Sequence, residues 1–183
     1  MKNWYVITSL SRKEKSMIEY IKTYNAEKSI DDIMPFVPTK ETIYKTSAFV
    51  KEETSPIFQG YIFMETSRNC RDFLNYMQGL RRTYSNPMRV LSYGDSDELA
   101  IRREEQVDLM MLMDSEKCIK ISRGYKVDGK VTIINGALKG HEGEIKEIDI
   151  YRMRAWIEIK MHERPTLIKV GLELLNNPHG ERF

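Results

Sequence analysis

The 183-residue chain is 41% hydrophobic and 10% aromatic, ordinary values for a folded protein that exclude a wholly disordered one. Its charged residues, 31% of the chain, nearly cancel to a net +2, which argues against a protein that coats nucleic acid by bulk basicity. Two distant cysteines, Cys70 and Cys118, exclude a disulfide framework and a short-spaced metal clip.

The N-terminal MKNWYVITSL is too short an apolar run for a secretory signal, and no stretch approaches the roughly 20 apolar residues of a membrane span. A cytoplasmic protein without a membrane partner is expected. Within that first stretch, Trp4 to Leu10 is β-branched and aromatic, the composition of a strand. Ser11 is read as opening a helix, because Met17, Ile18, Ile21 and Tyr24 recur at the helical period. Residues 32–46 alternate weakly around Pro35 and Pro38. Lys51 to Pro56 (KEETSP) reads as a polar hairpin or loop, and Ile57 to Met64 (IFQGYIFM) as a central strand interrupted by Gly60.

Asn69 is placed to cap a second helix with Cys70, Phe73, Leu74 and Met77 on one face, and Gly79 stands where that helix would end. Met88 to Tyr93 reads as a further strand. Asp95-Ser-Asp-Glu98 has capping-box spacing ahead of a helix reaching about Met113. The order predicts an α+β fold, an antiparallel sheet with helices packed on it.

The short polar stretch from Met113 to Lys117 is the natural boundary, and everything after it reads as β. Lys126 to Ile134, Gly143 to Ile150, Arg154 to Met161 and Leu167 to Val170 are short strands separated by turn residues, the signature of a small closed barrel. The expected plan is a first domain over 1–112, a linker over 113–119, a second domain over 120–176 and a tail over 177–183. Charge follows the same division. Residues 1–116 hold 16 Lys+Arg against 18 Asp+Glu, a net of −2, and residues 117–183 hold 13 against 9, a net of +4.

The stretch NGALKGHEGEIKEID, residues 135–149, admits three readings. Gly124 to Lys130 superficially matches the spacing of a phosphate-binding loop, but Val131 stands where Ser or Thr should hold magnesium and a strand follows in place of a helix. A metal loop would need partners near His141, and His162 and His179 are isolated. The architectural reading fits best: Asn135-Gly136 is a turn signal, and Gly140 and Gly143 permit positive φ or close backbone approach at a barrel corner. No cofactor and no metal are expected. No carboxylate pairs with a His or Cys in a recognisable catalytic arrangement, so no enzyme is expected.

VTIINGALKGHEGEIKEIDI is similar to the KOW motif, the strand-loop-strand element of a five-stranded SH3-like barrel, with Gly136, Gly140 and Gly143 at the motif's glycines. Independently, Trp4-Tyr5-Val6, the SRKEK helix start, Val37-Pro38-Thr39 and Phe58-Gln-Gly-Tyr61-Ile-Phe63 resemble the N-terminal domain of the NusG family of transcription elongation factors. The two resemblances fall in the family's order and span roughly residues 3–175. They imply a factor whose first domain sets an apolar depression over the clamp helices of RNA polymerase's largest subunit, through Trp4, Tyr5, Ile57, Phe58 and Tyr61. The family's Phe-Pro-Gly-Tyr is Phe58-Gln59-Gly60-Tyr61 here. His162 stands where the housekeeping member carries the Phe that contacts a ribosomal protein, so that contact is not expected. The charged barrel instead resembles the LoaP type of antiterminator, which implies a structured nascent RNA hairpin as partner. A ribosome-associated KOW protein, a structural RNA-binding component, is the alternative.

Along Arg154 to Met161 the alternation is strict. Ala155, Ile157, Ile159 and Met161 point to one face, and Arg154, Trp156, Glu158 and Lys160 to the other. An aromatic flanked by cations suits RNA, whose unstacked bases lie on the ring while Arg and Lys take phosphates; the bland alternative is that Trp156 covers a surface patch or the linker. Lys139, His141, Arg152 and Arg164 fall in turns that a small barrel gathers at its ends, and they complete the expected RNA-binding set. Arg81 and Arg82, ahead of Thr83-Tyr-Ser-Asn-Pro87, are expected to reach nucleic acid near the polymerase, with non-template DNA as a further contact.

Overall fold

In a computed structural model that describes residues 2–10, 12–94, 98–127 and 129–175, the hydrophobic periods become the following elements. In chain order they are β1 (Asn3–Thr8), α1 (Glu14–Glu27), β2 (Ile33–Phe36), β3 (Thr39–Lys45), β4 (Val50–Pro56), β5 (Tyr61–Thr66), α2 (Cys70–Thr83), α3 (Arg103–Leu112), β6 (Cys118–Ile119), β7 (Ser122–Val127), β8 (Lys130–Asn135), β9 (Ile145–Asp149), β10 (Arg154–Met161) and β11 (Arg164–Leu175), with a 3-10 turn at Glu142–Glu144. The chain divides into two units, each assembled from two separated segments. One combines the residues up to Pro38 with Phe58–Gln106, and the other combines Thr39–Ile57 with the chain from Val107 on.

In the first unit β5 lies between β1 and β2, antiparallel to both. Tyr5, Ile7, Ile62 and Met64 join Met17 and Ile21 of α1 and Phe73, Met77 and Leu80 of α2 in one buried cluster. Strand alternation sends Trp4, Val6 and Phe63 to the other side, and these are buried too, so the sheet is apolar on both faces. At the start of α1 the buried carboxylate of Glu14 accepts from the Gly60 backbone N–H at 2.6 Å, which fixes the turn ahead of β5. Asn69 caps α2 as expected, its side-chain oxygen accepting from the Asp72 N–H at 3.0 Å.

Several expectations give way to tertiary context. Helix α2 runs through Gly79 to Thr83. A Cβ there would lie 2.6 Å from the Tyr24 hydroxyl, so the missing side chain serves close helix packing and is not a stop signal. Around Val90 the predicted strand reduces to a bridge with Ile7, with Leu91 N donating to Val6 O. The late helix begins only at Arg103, because Ala100 bridges Tyr5 and Ile101 N donates to Trp4 O, which holds that stretch extended. The Ser11 start and the Asp95–Asp97 part of the capping box lie outside the described residues, as do the tail residues 177–183.

In the second unit KEETSP is a strand: β4 pairs with β3 in full register from Thr39↔Pro56 to Lys45↔Val50, and β6 adds in parallel on the other side of β3. The remaining strands form a five-stranded sheet in the order β8-β7-β11-β10-β9. The long β11 pairs antiparallel with β10 through Arg164 to Gly171, then parallel with β7 through Leu172 to Leu175. The 3-10 turn links the two edge strands, since it leads into β9 while Glu142 accepts from Ile133 N of β8 at 3.3 Å, and the sheet thereby curls on itself. Gly136 is required there: its φ is +94°, and a Cβ would come within 2.4 Å of Ile121 O and Ser122 Cα. Gly140 also has positive φ (+84°), whereas Gly143 has neither positive φ nor a crowding neighbour. The architecture is the expected α+β plan, a helix-flanked antiparallel sheet and a β-rich second unit.

Candidate nucleic-acid and protein interfaces

Alternation along β10 settles the outer face of the five-stranded sheet. Ala155, Ile157 and Ile159 are buried, while Arg154 and Trp156 are half-buried and Glu158 and Lys160 exposed. The Arg154 guanidinium lies 4.8 Å over the Trp156 ring, within cation–π range. Asp149, the residue paired with Arg154 on β9, sets this arrangement. It accepts from Arg154 Nη2 at 3.1 Å and from the Arg152 backbone N–H at 3.0 Å, and lies 3.6 Å from Arg152 Nη1. The Arg152 amide, and then the Arg154 guanidinium, hold the Asp149 carboxyl below the ordinary aspartate range. Arg154 Nε is buried and has no hydrogen-bond partner among the described residues.

The remaining expected RNA residues do not all gather at this spot. The β9–β10 turn brings Arg152 to Arg154, but Lys139 and His141 lie in the loop before β9, whose first residue, Ile145, stands opposite Ile157 in mid-β10, and Arg164 lies just past the β10–β11 turn at the far end of β10. Six residues of strand, about 20 Å, separate Arg154 from Lys160. His141 is engaged by Glu144 at 2.9 Å. Arg81 and Arg82 sit exposed in the last turn of α2, in the other unit. Sequence reasoning alone misses Lys169, which pairs with Trp156 across β10 and β11, and Tyr151, 91% exposed at the β9–β10 turn. Both are legible in principle: Lys169 from strand alternation, and Tyr151 from its place beside Arg152 in a turn.

The expected protein-binding residues separate by face. Tyr5 stacks on Phe73 at 4.0 Å and 7° in the helix-side core, so its ring serves packing and is removed from the docking set. Trp4 lies on the opposite face, edge-on to Phe36 at 5.1 Å and to Phe63 at 6.1 Å, with its indole N–H donating to Glu65 at 2.9 Å. Phe58 stacks on Phe63 at 6.0 Å and meets Tyr61 at 6.3 Å. Phe58 and Ile57 are each only 8% exposed, and Tyr61 is half-buried. Trp4, Phe36, Phe58, Tyr61 and Phe63 therefore make one aromatic cluster on the side of the sheet away from α1 and α2.

Among the described residues no group of His, Cys, Asp and Glu is arranged to hold a metal, and no helix is long and apolar enough to cross a membrane. A family model described as transcription termination factor nusG matches residues 2–111. No curated protein matches the chain. Among solved structures, one described as domain interaction in Thermotoga maritima NusG is 21% identical and aligns over 93% of this chain and 94% of its own, with a TM-score of 0.50. At that identity the likeness is one of fold.

Proposed function

The chain belongs to the NusG family of transcription factors, and from that premise we propose that it is an antiterminator, its first domain (1–112) docking on RNA polymerase and its second (120–176) grasping a nascent RNA hairpin. The family's role in transcription elongation makes polymerase the expected partner, and the factor works by binding and not by turnover, in the cytoplasm. The polymerase contact falls to the aromatic cluster backed by Trp4 and Phe63, with Phe58, Ile57 and Tyr61 at its margin receiving the clamp helices. The Arg154 guanidinium stacked over Trp156 is the observation that carries the RNA half, because cation and ring together serve phosphate and base. Two tethered contacts raise the effective concentration of each, so a modest RNA affinity suffices to recruit the factor to particular transcripts. Arg152, Lys160 and Arg164, and Lys139 and His141 in the loop before β9, extend the phosphate track; Arg81 and Arg82 serve nucleic acid beside the polymerase, including non-template DNA.

Paired variants test this. Arg154→Ala with Trp156→Ala should weaken binding of a labelled RNA stem-loop by at least about fivefold, the lower end of a lost base stack, and leave co-elution with core RNA polymerase unchanged. Phe58→Ala should do the reverse, with circular dichroism confirming the fold. Unchanged RNA affinity in the first variant would remove the barrel surface, and a wild-type chain that ignores polymerase would sink the docking half.

A further inference from the structure

The β3–β4 hairpin carries an aromatic and cationic face that the RNA reading above does not use. Cross-strand pairing puts Lys40, Thr42 and Tyr44 of β3 on one side of the ribbon, with Glu53 opposite Thr42 and Lys51 opposite Tyr44. The other side carries Glu41, which accepts from Lys120 Nζ at 2.8 Å and from Ile121 N at 3.2 Å. Gly171 lets β3 approach β11, since a Cβ there would lie 3.1 Å from Glu41 O. The hairpin is thus anchored beside the five-stranded sheet, and a cleft of about 270 Å3 opens between them. Four cations, Lys45, Arg152, Arg154 and Lys169, line it against one carboxylate, Glu53, which Lys51 already engages at 3.3 Å. Asp149 neutralises part of the arginine charge; Lys45 and Lys169 have no acidic partner among the described residues.

Aromatic rings project from the margins of this charge. Tyr44 and Phe49 are each 53% exposed with ring centroids 6.2 Å apart, at a hairpin tip that Thr46 holds by accepting from Ala48 N and Phe49 N. Tyr151 stands out from the β9–β10 turn beside Arg152. Rings interleaved with cations along a groove are the pattern that binds single strands: phosphates track the charge and bases stack on the rings. A duplex keeps its bases stacked on one another and offers nothing to Tyr44, Phe49 or Tyr151.

We infer that the cleft between the β3–β4 hairpin and the β10–β11 face binds single-stranded nucleic acid, its phosphates on Lys45, Arg154 and Lys169 and its bases on Tyr44 and Tyr151. This deepens the RNA reading of the barrel and rests on it, adding a single-stranded segment that continues from the stem. Backbone phosphate contact is independent of sequence, so generic probes suffice.

The test uses the full chain and fluorescence anisotropy with labelled oligouridine and oligothymidine of twelve nucleotides, a blunt RNA duplex of equal length and the RNA stem-loop. Wild type should bind a single strand more tightly than the duplex, and the tighter of the two single strands names the source as transcript or exposed DNA. Tyr44→Ala should weaken that binding at least about fivefold. Lys45→Ala with Lys169→Ala should flatten the dependence of log affinity on log salt by about 1.4, some 0.7 for each lysine that no longer neutralises a single-strand phosphate. Hairpin variants that bind single strands as wild type does, while Arg154→Ala with Trp156→Ala still loses the stem-loop, would overturn the cleft and leave the barrel reading standing. A wild-type chain that binds none of these probes would end both.

Discussion

Lys40 lies on the side of β3 that carries Thr42 and Tyr44, without an ion pair to any described residue. Burial first, and the nearby Lys169 second, push its ammonium below the ordinary lysine range. Because the folded value is depressed, the charged form destabilises the fold, and stability returns as pH rises through that value toward 10.5, the ordinary value. Lys40→Met keeps the aliphatic stem and removes the charge. It should raise the melting temperature at neutral pH, abolish that alkaline gain and weaken single-strand binding together, measured by thermal melts at several pH values and by anisotropy. A residue kept for packing alone would not trade stability for affinity in this way. Arg154 and Trp156 are readable from sequence because one face of β10 is wholly apolar. Tyr5 is not, because both faces of β1 are, so alternation names two sets of residues without saying which one packs on helices.

At the scale of the element, the glycine loop before β9 separates two uses of glycine that look alike in sequence. Gly136 combines φ of +94° with backbone atoms 2.4 Å from a prospective Cβ. Gly136→Ala should cost about 2–5 kcal/mol, the left-handed penalty plus forced backbone displacement, whereas Gly143→Ala, which meets nothing, should stay within about 0.5 kcal/mol. Chemical denaturation of the pair checks this. The same distinction explains which elements are legible. Helices α1 and α2 announce themselves by period, and Asn69 by its capping chemistry. Gly79 misleads because its purpose, room for the Tyr24 hydroxyl, lies on another helix. The strand β4 is hidden because KEETSP carries no apolar alternation, and its strand state comes from pairing with β3.

For the whole molecule, the division of the chain is the least legible feature, since units built from separated segments leave no single composition break. The polar stretch near Met113 marks a real change from helix to strand, yet the unit that contains the barrel also takes in Thr39–Ile57. Residues 113–175 produced alone would lack β3, the partner of β6, and the Glu41 anchor of Lys120 and Ile121. Amide exchange along β11 in that fragment should run at least about tenfold faster than in the full chain, roughly 1.4 kcal/mol of forfeited protection. Equal protection would show that the hairpin contributes nothing to the sheet beside it. The close approach of Glu41 to Gly171, 130 positions apart, also has a temporal side. At about 5–20 residues per second, the ribosome releases the hairpin some 7–26 s before the strand it leans on exists. During that interval Tyr44 and Phe49 belong to a nascent chain whose cationic wall of Arg152, Arg154 and Lys169 has yet to be synthesised.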